Sequence, residues 1–568
     1  MKVKFSGDTV AHALLELLSL RGIEYFFANA GTDFASIVEA FALREKQGKG
    51  YPVPFAVPHE IPLVGMAHGY YLGTGRPQAA MVHVTVGTAN SIGGLMAANR
   101  ARIPILFFAG RTPITEDGDR ASRQAQIHWG QESFDQGGMV REFVKWEYEL
   151  REPSQLETVI DRAVTMAMTQ PRGPVYLSLP REVTAAPLGE IELRTEGRFD
   201  LPTFHPDPAK IKEAARLLLK ARFPLIITSA IGQDPSAVQT LVDVAEAGAV
   251  GVVSFKPGYV NFPGDHPCHL GFSPAPYFEE TDVIFVVDCD VPWFPRHFKP
   301  MDSAVVIQAG VDPFYSNYPI RGFHSDLTLQ GDPALVLSEI ARELAGDPER
   351  DEDALARRQK KLQGIHDGIA RKLTGFPRGS DRESPLDFGW ISHNLARFTG
   401  DDTIVVNEYG NAMEERLDYP PGGYFGPTHA GYLGWSFGTA LGLKLAQPEK
   451  TVILTVGDGA YMFSVPSACH FVSNANRLPL LVVVYNNRRW NAVKRATLGV
   501  HPEGVASRSQ KFPLSSLEPT GDYEKICEAF GGYGEKVEDP GQVLPALERA
   551  FHAVRVEKRQ ALLNIICK

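Results

Sequence analysis

Cysteine is scarce in this chain: five in 568 residues, Cys268, Cys289, Cys469, Cys527 and Cys567, odd in number and never in a CxxC pair. That argues against a disulfide framework and fits a reducing, cytoplasmic setting. No apolar run reaches the roughly 20 residues that span a bilayer, so no membrane association is expected. Long blocks of like charge are also missing. With 57 Lys and Arg against 67 Asp and Glu the net charge is −10, which leaves no electrostatic footprint for nucleic acid. No GxGxxG follows an expected strand, so an NAD site is disfavoured. There is no low-complexity tract and no close internal repeat. The start, Met1 to Gly7, carries two lysines but breaks at Gly7 and Asp8, and an amphipathic helix follows where a signal peptide would have its apolar core.

What is present is apolar sequence in short, regular pieces. Hydrophobic residues make up 44% of the chain, enough for packed cores, and the length suggests about three domains. Val10, Leu14, Leu15, Leu17 and Leu18 sit at helical spacing, Gly22 stops that helix, and Glu24–Ala28 reads as a strand. Alternation continues through Val53–Val57 (strand), Ile61–Leu72 (helix), Ala79–Val84 (strand), Ser91–Arg100 (helix) and Pro104–Ala109 (strand), closing near Val175–Leu179. Continuous apolar strands between helices indicate a parallel sheet covered on both faces.

Thr184–Pro208 reads as a linker. A second run has strands at Leu225–Thr228, Val250–Ser254, Val283–Asp288 and Ala304–Ala309. The charged segment Asp347–Lys361 and the polar patch Arg378–Glu383 then form a connection. A third run includes Thr403–Val406, Thr451–Val456, Pro479–Tyr485 and Ala561–Cys567. The expected architecture is α/β, with three doubly wound parallel-sheet domains at 1–185, 205–345 and 370–568.

Two turns in the third run carry chemistry. Gly457-Asp458-Gly459 follows one expected strand, and Asn486-Asn487 ends the next after 26 intervening residues. Ligands of open parallel sheets bind at the carboxyl ends of strands. Mg²⁺ needs hard oxygen ligands and bridges to phosphates. Asp458 offers a carboxylate, Asn487 an amide oxygen and Arg489 a backbone carbonyl, while Gly457 and Gly459 let backbone N–H groups approach phosphate oxygens. Either motif alone is equally an ordinary turn; their pairing favours a shared diphosphate and metal pocket. In the first run, Val57-Pro58-His59-Glu60 precedes Met66-Ala67-His68-Gly69-Tyr70-Tyr71 and Gly73-Thr74-Gly75. Glu60 stands at a strand–helix junction, where desolvation favours a protonated carboxyl but where a glutamate can also simply serve the helix dipole.

These segments resemble the thiamine diphosphate-dependent enzymes, and the resemblance runs over nearly the whole chain. It implies a pyrimidine-binding, a middle and a diphosphate-binding domain, with thiamine diphosphate and Mg²⁺ as cofactors. Glu60 would share a proton with the cofactor's pyrimidine ring. Asn411, Gly431, Leu433, Gly457, Asp458, Gly459 and Asn487 would hold the cofactor, and Asp458, Asn487 and Arg489 the metal. Leu433 would bend the cofactor, although a core leucine would look the same.

Phe26-Phe27-Ala28-Asn29-Ala30-Gly31-Thr32, Val144–Glu149, Gly173–Pro180 and His266-Pro267-Cys268 resemble the benzoylformate decarboxylase branch. On that alignment His83 falls on an active-site histidine that relays protons, and Thr32 on a serine that hydrogen-bonds the substrate carboxylate. His297 reaches a second histidine position only after a two-residue shift. His83 could equally be a core histidine. Asn407-Glu408-Tyr409-Gly410-Asn411 also resembles the corresponding loop of the oxalyl-CoA decarboxylase and 2-hydroxyacyl-CoA lyase branch. Arg488–Val493 and Ala496 depart from the benzoylformate decarboxylase pattern, so a phenyl pocket is not carried over. Gly110-Arg111-Thr112-Pro113 stands where acetolactate synthase has Gly-Gln, Ile127–Glu132 is unlike either branch, and His128, Trp129 and Gln131 either line a substrate entrance or cap the first domain.

The expected activity is decarboxylation or carboligation of a small-molecule 2-oxo acid or aldehyde. Alternatives are an acetolactate synthase-like carboligase, a 2-hydroxyacyl-CoA or acyloin lyase, and an FAD-containing oxidase of the same family. Against the CoA version, no tail follows Ala561–Cys567 to close over a long thioester. The resemblance also implies a homodimer or homotetramer in which Glu60 and Asp458 of one site come from different chains.

Overall fold

The computed structural model describes residues 1–374, 383–408, 411–416 and 418–568. Most of the Arg378–Glu383 patch, and Tyr409 and Gly410 of the 407–411 loop, lie outside the described residues. The chain folds into two compact units: Met1–Pro202 with Thr428–Lys536 and Glu548–Ile566, and Thr203–Pro427 with Val537–Leu547 and Cys567–Lys568.

Three parallel sheets organise the protein. In the first, the order is Val53–Ala56, Tyr25–Ala28, Ala79–Val82, Leu106–Arg111, Val175–Pro180 and Glu147–Glu149, every neighbouring pair parallel. Its inner strands are buried on both faces, as their unbroken apolar runs require. Strand order reverses between Tyr25–Ala28 and Ala79–Val82: one chain connection leaves to the left and the next to the right. Ligands of open parallel sheets bind outside the carboxyl ends of the strands at such a switch point, and the segments emerging there are Asn29–Asp33 and His83.

The second sheet is five parallel strands in the order Gly251–Ser254, Pro224–Thr228, Val283–Val287, Val305–Gly310 and Leu327–Gln330. In the third, Thr451–Gly457, Leu481–Asn486 and Ala561–Ile566 run parallel, with Gly457 in register with Tyr485. That register sets the turn at Asp458 beside the turn at Asn486 and Asn487.

Two segments differ from their sequence reading. Part of the expected linker, Pro187–Arg194, pairs antiparallel with Lys2–Thr9, so neither the amino terminus nor this stretch is irregular. The charged connection after Asp347 is largely the helix Glu352–Thr374. It packs through Leu355 and Leu362, while buried Arg358 donates to the carbonyls of Leu218 and Ala221, closing the otherwise open end of the Pro208–Lys220 helix.

The first unit is joined along a helix–helix seam. Glu60–Thr74 lies against Trp435–Ala446 in parallel, through Gly65, Gly69, Gly438 and Gly442. A Cβ on Gly442 would fall 2.2 Å from the Met66 carbonyl oxygen. Burial pushes His68, on this seam beside the Trp435 ring, down to about 3, so it stays neutral. All five cysteines are buried with free thiols, and among the described residues no helix is long and apolar enough to cross a membrane.

Candidate active site

Glu60 is the first residue of its helix and only 6% exposed. His59 caps that helix, its Nδ1 accepting from the Ile61 N–H at 3.1 Å. Two amides grip the carboxylate: Asn29 Nδ2 donates to Oε1 at 3.0 Å and Asn90 Nδ2 to Oε2 at 3.3 Å. The switch-point loop and the Val84–Arg100 helix therefore converge on one side chain. Neither asparagine was singled out by sequence reasoning, although Asn29 stands in the Phe26–Thr32 segment that carried the resemblance.

His83 belongs to the same cluster. The apolar run that reads as a strand to Val84 ends at Val82, and His83 stands at the N-cap position of the helix that follows, its side chain making no capping hydrogen bond. Val84 has φ +33°, a costly backbone state for a β-branched residue, of the kind that surrounding structure imposes at functional sites. His83 Nδ1 lies 2.5 Å from Asp33 Oδ1, so Nδ1–H points at the carboxylate and Nε2 is the nitrogen left for other partners; Gln131 is a further hydrogen-bonding neighbour of the ring. Asp33 is buried, and its Oδ2 has no partner. Its hydrogen bond to His83 is the largest influence on the imidazole and outweighs the opposing effect of burial, holding it above the ordinary histidine range. A Cβ on Gly110 would fall 1.7 Å from Asp33 Oδ2, and one on Gly31 2.2 Å from His83 Nδ1. Two glycines make room for the pair.

Because its pKa is raised on folding, the Asp33–His83 pair stabilises the protein fully below the unfolded value near 6.5 and loses that contribution as pH rises through the folded value. Asp33→Asn removes the main raising influence. The alkaline limb of kcat/KM, read against pH, is expected to move to lower pH; an unmoved limb would show that His83 does not set it.

Thr32 and His128 complete this face. Thr32 is exposed beside Asp33. His128, in the short helix Ile127–Gly130, is buried, accepts the Gln124 N–H on Nδ1 at 3.2 Å and reaches Thr32 Oγ1 with Nε2 at 3.4 Å. Burial first, then the charges of Arg181 and Arg123, hold it below the ordinary histidine range. Glu132 pins the surrounding segment, accepting from Arg111 Nη2 at 2.9 Å, Arg123 Nη2 at 2.6 Å and Thr112 Oγ1 at 2.5 Å.

The 431–434 loop reaches the same neighbourhood within one chain. Gly431 and Gly434 have φ +65° and +84°, and between them lie Tyr432 and half-buried Leu433. A Cβ on Gly93, one turn after Asn90, would strike the Tyr432 ring at 2.2 Å. Gly434 in turn packs against the backbone of Phe463, at the far end of the helix that Asp458 begins.

Asp458 is 2% exposed, and its Oδ2 is buried with no partner among the described residues. Burial pushes the carboxyl up to about 6 against backbone N–H donors from Gly459, Arg488 and Arg489. Beside it, Asn487 Oδ1 accepts from the Arg489 N–H at 3.1 Å, the Arg489 carbonyl accepts from Asn491 N–H at 3.0 Å, and Arg488 holds the turn at φ +58°. Each of those two oxygens keeps a second lone pair. An orphaned carboxylate oxygen beside two further hard oxygens fits a divalent cation. Gly457 faces open space, and a Cβ on Gly459 would strike the Trp490 ring at 2.1 Å.

His297 and Asn411 belong to the other unit. His297 is exposed in the turn after Phe294. Asn411 is buried; its Oδ1 accepts from Met413 N–H, and its Nδ2 has no partner among the described residues.

Two family descriptions match the chain: "Thiamine pyrophosphate enzyme, N-terminal TPP binding domain" over residues 8–139 and "C-terminal TPP binding domain" over 410–565. The benzoylformate decarboxylase of Pseudomonas aeruginosa is 27% identical over 86% of this chain and 87% of its own length. The sulfoacetaldehyde acetyltransferase of Castellaniella defragrans is 24% identical over 98% and 93%. The acetolactate synthase large subunit of Haemophilus influenzae is 24% identical over 96% and 92%. The crystal structure of benzoylformate decarboxylase from Polynucleobacter necessarius superposes with a TM-score of 0.78 at 20% identity, covering 99% of both chains, which establishes a shared fold. The chain belongs to the thiamine diphosphate-dependent enzyme family.

Proposed function

We propose that this enzyme decarboxylates a 2-oxo acid and passes the product on as an aldehyde or to a second carbonyl compound, with thiamine diphosphate and Mg²⁺ as cofactors. The observation that carries the reading is the Asp33–His83 pair beside the Asn29–Glu60–Asn90 clamp: a proton-moving group and a held carboxyl at one switch-point crevice. When bound, thiamine diphosphate supplies a carbon nucleophile and a sink for the electron pair released with CO₂.

The protein's own residues divide the remaining work. Glu60 presents its carboxyl to the pyrimidine ring and shares a proton with it. His83, tied to Asp33 through Nδ1, moves a proton through Nε2. The Thr32 hydroxyl takes the substrate carboxylate. Asp458, Asn487 and the Arg489 carbonyl hold Mg²⁺; Gly457, Gly459, Gly431, Leu433 and Asn411 hold the cofactor; His297 is a further proton-moving candidate. Assembly into a homodimer or homotetramer with active sites shared between chains belongs to the same reading.

The test is a screen of benzoylformate, pyruvate and other 2-oxo acids, with a 2-hydroxyacyl-CoA alongside, for CO₂ release or bond cleavage with and without added thiamine diphosphate and Mg²⁺. Cofactor-dependent CO₂ release from a 2-oxo acid is expected. Cleavage confined to the CoA thioester would overturn the reading, and a monomeric active species in light scattering would overturn the assembly.

A further inference from the structure

We propose that His128 is a positioning residue that aims the Thr32 hydroxyl at the carboxylate of the 2-oxo acid. This rests on the function proposed above and deepens it. The argument begins with a backbone group. The Gln124 N–H donates to His128 Nδ1 at 3.2 Å, so that nitrogen must present a lone pair, and a neutral ring then carries its proton on Nε2. Nε2 faces Thr32 Oγ1 at 3.4 Å, so Nε2–H donates to the hydroxyl oxygen. That is the hydrogen bond Oγ1 makes among the described residues. With one lone pair occupied from behind, the hydroxyl hydrogen turns away from His128, toward the exposed side of Thr32.

The electrostatics agree with that division. Burial first, then Arg181, Arg123 and His83, oppose a charge on His128 against a smaller raising effect of Asp33, while the hydrogen bond to Asp33 favours one on His83. Two neighbouring histidines are thereby biased in opposite directions: His83 toward the protonated form, His128 toward the neutral form, whose tautomer the Gln124 N–H fixes. An entering carboxylate meets an imidazole biased toward its protonated form and an aimed O–H together. The segment bearing His128 is rigid enough for such aiming, because Glu132 ties Arg111, Thr112 and Arg123 to one carboxylate, and Trp129 Nε1 donates to Glu116 at 3.1 Å.

A residue that only fills space would affect every reaction of the site alike. The test therefore compares two: CO₂ release from a 2-oxo acid, which presents a carboxylate, and ligation of two aldehydes, which does not. Variants are His128→Leu, His128→Gln (which returns an N–H close to the Nε2 position), Thr32→Val and Thr32→Ser, with thermal midpoints measured for each. A hydrogen bond to a charged group of this kind corresponds to about 10- to 100-fold. His128→Leu and Thr32→Val are each expected to raise KM for the 2-oxo acid by about that factor. Both should weaken binding of oxamate, an unreactive pyruvate isostere, similarly, and leave aldehyde ligation within about twofold. The double variant should be no worse than either single one, and His128→Gln and Thr32→Ser should recover most of the loss.

Equal losses in both reactions, or full additivity in the double variant, would overturn the positioning role. If His128→Leu fails to fold, the Thr32→Val and Thr32→Ser pair with His128→Gln decides the same question. A wild-type enzyme that releases no CO₂ from any 2-oxo acid would remove the functional reading itself, a result visible before any variant is made.

Discussion

Glu60→Gln is expected to lower turnover about a thousandfold while leaving the fold intact. Positioned acid–base groups contribute roughly 10²- to 10⁴-fold, and Glu60 is the carboxyl held at the switch-point crevice by two amide donors. Glutamine matches its shape but cannot exchange a proton. One of its terminal atoms becomes an N–H₂ group facing an asparagine donor, and Asn90, which is exposed, can turn its amide to accept instead. The structural cost is therefore small and the chemical cost large. Steady-state rates at saturating thiamine diphosphate and Mg²⁺, beside a thermal midpoint, separate the two; a variant as active as wild type would remove Glu60 from the mechanism.

The second large effect is structural. Gly69→Ala is expected to destabilise the protein by about 3 kcal/mol or more, at the upper end of what overpacking costs. A methyl there would fall 2.0 Å from the Thr439 carbonyl oxygen and 2.8 Å from its carbon. Those are backbone atoms of the facing helix and cannot rotate aside. Alanine's better helix propensity, about 1 kcal/mol, acts the other way and loses. Since Glu60 begins the same helix, any separation of the seam also moves the carboxyl, so activity should fall with stability. Gly364→Ala is the control: it lies in the Glu352–Thr374 helix with nothing within 4 Å of its Cβ position, and is expected to stabilise by up to about 1 kcal/mol. A Gly69→Ala protein with an unchanged denaturation midpoint would show that the helices can part at no cost.

Much of this fold is legible in the chain because buried parallel strands need unbroken apolar runs, and those stand out between Gly- and Asp-marked turns. The turns at Gly457–Gly459 and Asn486–Asn487 are readable for the same reason: they follow such runs directly. Features formed by distant or polar partners are not. Asp33 is 50 residues from His83, and nothing local marks it as a partner except its place next to Thr32. Val84 and Thr85, both β-branched, prolong a strand-like pattern past Val82, which hides the first two turns of the Val84–Arg100 helix. The Glu352–Thr374 helix is mostly polar and makes its few contacts through isolated side chains, so its sequence looks like a connection. Pro187–Arg194 pairs with a segment nearly two hundred residues away, beyond the reach of any local signal. His128 lay open between two roles because only the fold brings Thr32 Oγ1 within 3.4 Å of its ring.

Space left by absent methyl groups at Gly31 and Gly110 is what admits the Asp33–His83 pair. A related chain could therefore keep both ionisable residues and still lose their contact through a single alanine at either glycine. When homologues are sorted by chemistry, the useful fingerprint is a quartet, Gly31, Asp33, His83 and Gly110, and a library that diversifies this pocket should hold all four fixed.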